Sequence, residues 1–293
     1  MNPANVRRHH GRIHGVGDLQ LVYRTWEVGS PRAALVLVHG LSDHSRRYEE
    51  FGVQSAAAGF STFACDLRGH GASDGRRGHA STFDHLIQDL DRFRREVHGL
   101  VDGRVPVFML GHSMGGLIVL RYLEEYDAPV HGAVVISPWL ATALPAPRWK
   151  LAFAGPASRF VPTLPLRARI PPESLTHVQD AVARYRDDPL VHDTITPRLF
   201  VEATRAMELA HQRAERIGVP LLFLLAGDDR IVDTKRAEAF ARGIPHGDVA
   251  VRTFEGAYHE LLQETQRGAV RNEIHAWIAA RIRHRDGATA VGG

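Results

Sequence analysis

The chain has 293 residues, 44% of them hydrophobic and 24% charged, and 36 basic against 33 acidic side chains leave a formal net charge of +3. This composition is that of a globular protein and excludes disordered and fibrous classes. The longest apolar runs, Ala33–Val38 and Leu221–Ala226, are far shorter than the roughly 18 residues that a membrane-spanning helix requires. A charge excess this small, without a recognisable binding module, also argues against a nucleic-acid-binding protein.

The N-terminal segment and the single cysteine bear on cellular location. The first ten residues contain no apolar stretch of the kind found in secretory signals. Cys65 is the single cysteine and cannot form an intramolecular disulfide, which suits a reducing compartment. We therefore expect a cytoplasmic protein whose contact with membranes is at most peripheral. Because Cys65 lies in a strand-like run, its thiol is predicted to be buried and unreactive.

Short apolar runs alternate with helix-length periodic segments along most of the chain. This alternation is typical of a mostly parallel sheet with helices on both faces. An antiparallel edge strand is predicted first, at residues 19–28. Further strands are predicted at residues 35–39, 60–66, 105–110, 133–137, 220–226 and 249–254. Helices are predicted at residues 48–58, 83–98 and 117–126, where apolar residues recur at helical spacing.

The alternation of strands and helices stops between residues 138 and 200. This segment holds ten of the chain's 16 prolines together with two tryptophans and several long apolar side chains. A flexible linker would lack those side chains, so the segment is predicted to be a cap inserted into the fold. The expected organisation is an α/β core of residues 1–137 and 201–293 that carries a cap of residues 138–200.

The strongest chemical signal lies in residues 105–119 (VPVFMLGHSMGGLIV), where an apolar strand leads into Gly-x-Ser-x-Gly and directly into a helix. The glycines permit a tight turn that presents the serine hydroxyl at the helix N-terminus. Ser113 is therefore the predicted nucleophile. The same spacing recurs at residues 71–75 (GASDG), but no apolar strand precedes it and no helix follows. Ser73 is accordingly predicted to be an ordinary loop residue.

A serine nucleophile needs a base, and the base needs an acid that orients it. Such groups collect at the carboxyl ends of parallel strands. The last two predicted strands are followed by Asp229 and His259, which gives the chain order Ser, Asp, His expected for this nucleophile turn. Asp228 and Asp233 are the alternatives for the acid, and we favour Asp229.

The tetrahedral intermediate of acyl transfer needs two N–H donors aimed at its oxygen. One donor is expected from the backbone of Met114, directly after the nucleophile. The other is expected from the loop after the first buried strand, residues 39–44 (HGLSDH), where we select the amide of Leu41. His39 is predicted to support this loop by hydrogen bonding and not to act as a base.

No cofactor and no metal ion are expected. Residues 259–263 (HELLQ) fall one ligand short of the zinc motif His-Glu-x-x-His, because Gln263 stands at the position of the second histidine. The sequence also contains neither of the two common glycine-rich phosphate-binding loops.

Four sequence blocks together resemble the α/β-hydrolase superfamily, and more narrowly its monoacylglycerol lipase/lysophospholipase branch, which is serine aminopeptidase S33-like. The blocks are residues 39–48 (HGLSDHSRRY), 66–73 (DLRGHGAS), 111–116 (GHSMGG) and 257–262 (AYHELL). The serine turn is common to the whole superfamily, whereas the first two blocks are more specific. The resemblance implies an α/β-hydrolase fold and a serine ester hydrolase whose cap forms an apolar tunnel for an acyl chain.

The composition of the predicted cap agrees with an acyl tunnel. Its apolar side chains exceed what a small cap needs for its own core. We expect substrate contacts from five of them: Trp139, Leu144, Trp149, Phe153 and Phe160. The alternative is that these side chains only attach the cap to the core.

Two differences from the family pattern lie near the expected head-group pocket. The family loop usually reads His-Gly-x-Gly-Glu-His, where this chain has Ser42 and Asp43. Mammalian members carry a second histidine at the position of Leu262. We expect Asp43 and Arg47 to face the substrate head group. An arginine-rich rim would also suit a phosphate-bearing head group, as in a lysophospholipid.

The expected function is hydrolysis of a single-chain lipid ester, above all a monoacylglycerol, through an acyl-enzyme on Ser113. The alternatives are a lysophospholipase, a short-chain carboxylesterase with a blocked tunnel and, from a different class, a ligand-binding receptor on this fold. A dehalogenase or epoxide hydrolase would need aspartate at position 113. The lipid ester is the expected partner, with transient membrane contact through the cap and no nucleic acid.

Overall fold

A computed structural model describes residues 6–103, 105–143, 148–245 and 247–290, and the side chains of residues 148–152 and 284–290 lie outside the description. The strands in this part of the chain are β1 Arg7–His14, β2 Gln20–Glu27, β3 Ala33–Val38, β4 Phe60–Cys65, β5 Val107–His112, β6 Ala133–Ile136, β7 Leu221–Ala226 and β8 Val249–Phe254. The helices are α1 Glu49–Ala57, α2 Phe83–Leu100, α3 Met114–Glu125, α4 Arg148–Phe160, α5 Gln179–Asp187, α6 Pro197–Arg213, α7 Thr234–Arg242 and α8 Arg267–Ala290.

The eight described strands form one sheet in the order β1-β2-β4-β3-β5-β6-β7-β8. From β4 to β8 every neighbouring pair is parallel, while β2 pairs antiparallel with both β1 and β4. The strand predicted at residues 19–28 is present as β2 and is antiparallel as expected. It is not the edge strand, because β1 pairs with it on the outer side. The sequence of β1 conceals the strand, since Ile13 is its one buried residue and the others are basic, polar or glycine.

Alternate residues of each central strand pack on opposite faces of the sheet. In β3, Ala34, Val36 and Val38 join a core cluster with apolar residues of α2, α3, α6 and α7. Ala33, Leu35 and Leu37 join a second cluster with residues of α1 and α8. The period-2 geometry of the strand thus explains why these runs are apolar throughout, as in other parallel sheets covered on both faces.

The segment predicted as the cap contains α4, α5 and the beginning of α6. Its expected end at residue 200 lies inside α6, and Leu199 and Ala203 of this helix are buried in the core cluster. Thr196 caps the helix by accepting the N–H of Leu199, and Pro197 occupies the first turn, where its missing N–H costs no hydrogen bond. The last four residues of the predicted cap, 197–200, thus lie in a helix that packs in the core cluster.

Within the described ranges, every helix is too short or too polar to cross a lipid bilayer.

Candidate active site

Ser113 lies on a strained turn between β5 and α3. Its backbone has φ 54° and ψ −118°, a combination that a non-glycine residue adopts only when its surroundings impose it. Two glycines make the turn sterically feasible. A Cβ on Gly111 would lie 2.5 Å from the carbonyl oxygen of Gly115, and one on Gly115 would lie 2.1 Å from the carbonyl oxygen of Val38. The spacing Gly-x-Ser-x-Gly is thus dictated by close backbone contact.

Two backbone amides are placed beside Ser113. Met114 is the first residue of α3, so its N–H has no acceptor within the helix. A Cβ on Gly40 would lie 3.1 Å from the Cβ of Ser113, which brings the loop after β3 against the nucleophile. Leu41 follows in this loop and lines the same cavity as Ser113. The structure therefore brings together the two predicted oxyanion donors, Met114 and Leu41.

His39 holds the loop after β3 in place. Its Nδ1–H donates to the carbonyl oxygen of Gly40 at 2.8 Å, and its Nε2 accepts the N–H of Leu67 at 2.9 Å. The two bonds fix one neutral tautomer, and burial lowers the pKa of the imidazole. His39 thus has the hydrogen bonds expected of a supporting residue.

Asp229 and His259 meet at the carboxyl ends of β7 and β8. The Nδ1–H of His259 donates to Oδ2 of Asp229 at 2.8 Å. The other oxygen, Oδ1, accepts the N–H groups of Ile231 at 2.8 Å and Val232 at 2.9 Å. Of the alternatives, Asp233 caps α7 through the N–H of Arg236. The carboxylate that contacts the histidine is therefore that of Asp229, the favoured candidate.

The Asp229–His259 pair shifts both pKa values. Burial disfavours the charged imidazolium of His259, but the carboxylate of Asp229 and the hydrogen bond to it outweigh burial and raise the pKa. Burial likewise disfavours the Asp229 carboxylate, and the histidine together with the two backbone N–H donors lowers its pKa. The Nδ1–H of His259 is committed to Asp229, which leaves Nε2 free to accept a proton.

A cavity of about 1150 Å³ opens at Ser113 between the end of the sheet and the segment of residues 139–200, and its wall is mostly apolar. Among the predicted substrate-binding residues, Trp139, Phe153 and Asp43 line it. Phe160 does not line the cavity, because its side chain is 78% exposed on the surface of the cap. Leu144 and the side chain of Trp149 lie outside the described residues.

Arg47 belongs to a buried ionic network and does not line the large cavity. Its guanidinium donates to both oxygens of Glu260, at 2.8 and 2.6 Å, and to Oδ1 of Asp43 at 2.9 Å. The hydroxyl of Tyr48 donates to Oδ2 of Asp43 at 2.8 Å. Although burial opposes ionisation, Arg47 holds the pKa of Asp43 well below its usual range. Arg47 was expected to face the head group. In the structure its guanidinium is instead paired with two buried carboxylates.

Sequence reasoning missed Glu260 and His112. The sequence pattern placed Glu260 in the incomplete zinc motif and in the family block of residues 257–262 without a role of its own, although its position directly after His259 was a signal for proximity to the site. His112 precedes the nucleophile, lines the cavity and approaches the carbonyl oxygen of His259 with Nε2 at 3.3 Å. Burial, reinforced by the neighbouring His259, lowers the pKa of His112 to about 4, so this imidazole is neutral near pH 7.

The second serine with the same motif spacing has a purely structural environment. The hydroxyl of Ser73 donates to the carbonyl oxygen of Asp66 at 2.6 Å and accepts the N–H of Val22 at 2.8 Å. Both bonds are buried and tie the loop after β4 to β2. In the described residues, no group of three or more histidine, cysteine, aspartate or glutamate side chains is arranged to hold a metal ion.

A mostly parallel sheet that carries a serine on a strand-to-helix turn, with an Asp–His pair on later strand ends, defines an α/β hydrolase, and the predicted fold class is confirmed. The chain belongs to the serine aminopeptidase, S33 family, whose model matches residues 29–266.

Individual relatives are similar over nearly their full length. The chain is 28% identical to a monoacylglycerol lipase of Mycolicibacterium smegmatis, covering 95% of this chain and 99% of that protein. It is 32% identical to a monoglyceride lipase of Rattus norvegicus, covering 89% and 88%. The crystal structure of Paleococcus ferrophilus monoacylglycerol lipase matches with a TM-score of 0.80 and 32% identity, covering 94% of this chain and 99% of that one. The protein is a carboxylic ester hydrolase.

Replacement of Ser42 by glycine should stabilise the protein. Ser42 has φ 64° and a buried hydroxyl without a hydrogen-bond partner. Glycine relieves the left-handed conformation, so we expect the free energy of unfolding to rise by about 1 kcal/mol in a denaturant titration. Ser42→Ala removes the hydroxyl but keeps Cβ, and should gain less. Equal stability of the two variants would contradict backbone strain at this position.

Replacement of Ser73 by alanine should affect stability and not activity. The variant leaves the buried N–H of Val22 without its acceptor, which costs about 1–3 kcal/mol of unfolding free energy. Thermal unfolding and ester turnover per folded molecule measure the two effects. A loss of turnover in folded Ser73→Ala would contradict the structural role.

Proposed function

We propose that the protein hydrolyses the ester of a single-chain lipid and that a monoacylglycerol is its preferred substrate. The observation that carries this proposal is the apolar cavity of about 1150 Å³ with Ser113 and His259 in its wall. A concave, mostly apolar site with a few convergent polar groups suits an acyl chain whose ester lies at the polar end. The similarity to the rat and Paleococcus ferrophilus lipases supports the same substrate class.

The proposed reaction proceeds through an acyl-enzyme. Oγ of Ser113 attacks the ester carbonyl carbon while Nε2 of His259 takes the hydroxyl proton, and Asp229 stabilises the imidazolium. The N–H groups of Met114 and Leu41 bind the oxyanion of the tetrahedral intermediate. His259 then gives its proton to the alcohol oxygen as the carbon–oxygen bond breaks. Water, deprotonated by His259, then attacks the acyl carbonyl carbon, and His259 returns that proton to Oγ of Ser113 as the acyl–Oγ bond breaks and the fatty acid leaves.

The charges around the head-group end favour a neutral alcohol over a phosphate. Arg47 is neutralised by Asp43 and Glu260, which leaves two carboxylates for one guanidinium. Asp43 and Glu260 line the cavity, and Arg47 does not. Carboxylate oxygens accept hydrogen bonds from hydroxyl groups but repel a phosphate. The cavity is also lined by three arginines whose side chains are exposed to solvent: Arg167, Arg169 and Arg230.

The cap in this proposal comprises residues 138–196 and contacts a membrane surface transiently. Its exposed large apolar side chains in the described part of the chain are Phe153, Phe160, Val161, Leu164 and Leu166. Exposed apolar side chains grouped on one segment suit contact with a membrane surface. In this proposal Phe160 contacts the membrane surface, whereas Phe153 both lines the cavity and is 65% exposed.

The substrate proposal is tested by comparing kcat/KM for a monoacylglycerol and a lysophosphatidylcholine of equal chain length. We expect a preference for the monoacylglycerol of at least about tenfold, which corresponds to about 1.4 kcal/mol of differential transition-state binding. Ser113→Ala is the blank and should show no turnover. Preference for the phospholipid would overturn the head-group argument, and absence of turnover with any ester would overturn the proposed function.

The pH profile tests the role of His259. Because the neutral imidazole is the base and its pKa is raised, activity should fall as the pH drops through that raised value. The acid limb of kcat/KM should therefore have its midpoint above the ordinary histidine value of about 6.5. In Asp229→Asn, burial still lowers the pKa of His259, but no carboxylate raises it, so the midpoint of the acid limb should move below about 6.5. The value of kcat should fall by about 10⁴-fold. A wild-type midpoint at or below about 6.5 would argue against the Asp229–His259 pair.

A further inference from the structure

Glu264 is a buried carboxylate that the proposed reaction does not use. Its side chain is fully buried and accepts four hydrogen bonds. Oε1 accepts the backbone N–H groups of His177 at 3.1 Å and Tyr258 at 3.2 Å, and also Nδ1 of His177 at 2.5 Å. Oε2 accepts the N–H of Thr265 at 2.5 Å. Burial opposes ionisation, but these donors outweigh it and lower the pKa of Glu264, so the group is an anion near pH 7.

The donors to Glu264 come from two separate parts of the fold. Tyr258 directly precedes His259, while His177 belongs to the cap, ahead of α5. Further bonds join the same two segments. The N–H of Glu260 donates to the carbonyl oxygen of Leu175 at 2.8 Å, and the hydroxyl of Thr176 donates to the carbonyl oxygen of Gln263 at 3.1 Å. The loop that carries His259 is therefore hydrogen-bonded directly to the cap after His259, and before it only indirectly, through Tyr258 and Glu264.

A stack of three side chains extends this connection to the loop that carries the acid. The ring of His177 lies on the ring of Tyr258, with centroids 3.6 Å apart and an interplanar angle of 28°. The guanidinium of Arg230 lies over the ring of Tyr258 at 4.1 Å and also bonds the Tyr258 hydroxyl. Because Arg230 directly follows Asp229, the stack joins the cap, the histidine loop and the aspartate loop.

The cap segment in this connection is also part of the substrate cavity. Ser174 and Leu175 line the cavity, as does Arg230. The same short stretch therefore forms a wall against the substrate and bonds to the histidine loop.

We propose that Glu264 is a positioning residue that aligns His259 with Asp229, acting through Tyr258 and the His177–Tyr258–Arg230 stack. This inference rests on the proposed function, because it presupposes that His259 and Asp229 carry out the reaction. A triad tolerates errors of only about 0.5 Å, and a misplacement of about 1 Å can cost on the order of 100-fold in rate. Asp229 has its own backbone donors, whereas the backbone N–H directly before His259, that of Tyr258, is held by Glu264.

The charged and titratable groups that face His259 are Asp229, Glu260, Asp43 and His112. None of them is altered by a substitution at Glu264 or His177. Because Glu264→Gln also removes a negative charge, which by itself lowers the pKa of a nearby histidine, the pH profile of His177→Phe, which keeps that carboxylate, is the one that reports the alignment of His259.

Glu264→Gln is the first variant, because it keeps the size of the side chain but turns an NH₂ group toward N–H donors. We expect kcat to fall by about 10- to 100-fold with KM changed less than about twofold. The acid limb of kcat/KM should shift to lower pH, since a misaligned Asp229 raises the pKa of His259 less.

His177→Phe is the second variant, at a side chain that is 42% exposed and so tolerates replacement. Phenylalanine keeps a ring on Tyr258 but loses the Nδ1 bond to Glu264, and we expect a smaller fall in kcat with a shift of the acid limb in the same direction. If Glu264→Gln does not fold, His177→Phe decides the question.

Asp91→Asn is the matched control for lost stability. Asp91 is a buried carboxylate of α2 that bonds Tyr122 and pairs with Arg94 and Arg95, and it does not line the cavity. The Asp91→Asn variant should have a lower melting temperature but an unchanged kcat and an unchanged acid limb of kcat/KM.

Wild-type kcat and an unshifted acid limb in both Glu264→Gln and His177→Phe would overturn the positioning role. An equal loss of kcat in Asp91→Asn would also overturn it, because the effect would then follow stability alone. Failure of the proposed function is a separate result: Ser113→Ala would retain activity, or the wild-type protein would hydrolyse no ester.

Discussion

The contact between α3 and the end of β3 is the constraint on which the rest of the site depends. Gly115 lies so close to the carbonyl oxygen of Val38 that a Cβ would be 2.1 Å from it, and this approach fixes the turn at Ser113. The positive φ of Ser113 costs on the order of 1–3 kcal/mol, which the buried strand and helix on either side of the turn offset. Because α3 lies against β3, the loop after β3, with Leu41, is brought to Ser113.

Around this turn, the buried charged side chains form ion pairs with one another. His259 is paired with Asp229, and Arg47 is shared by Glu260 and Asp43. Each buried ion therefore has a partner, as burial in a low-dielectric site requires. The proposed catalytic and head-group regions are electrostatically separate as a result: the Asp229–His259 pair tunes the base, and the Arg47 network places two carboxylates, Asp43 and Glu260, in the wall of the cavity. Glu264 adds a fourth buried carboxylate, whose partners are mainly backbone N–H groups.

Local pattern predicted the parts of the fold that depend on local physics. The apolar runs of β3 to β8 and the strand-turn-helix at Ser113 follow from residue type and spacing, so those predictions hold. Three features could not be predicted from residue type and spacing, because they depend on how distant parts of the chain pack together. The strand β1 is polar because it lies at an exposed edge, the pairing of Arg47 with Glu260 joins residues 213 positions apart, and the exposure of Phe160 depends on how the cap lies on the core. Helix α6 begins at Pro197, inside the segment predicted as the cap, and its apolar face continues past residue 200.

The most direct test of the central claim, that Ser113 is the nucleophile at the mouth of the apolar cavity, is to label the protein with a long-chain alkyl fluorophosphonate. Serine attack on phosphorus expels fluoride and leaves a stable adduct, which peptide mass spectrometry can locate. We predict one adduct, on the peptide that contains Ser113, and none when an excess of monoacylglycerol competes or when Ser113 is replaced by alanine. An adduct on the Ser73 peptide, or ester turnover that persists without any labelling of Ser113, would contradict the claim.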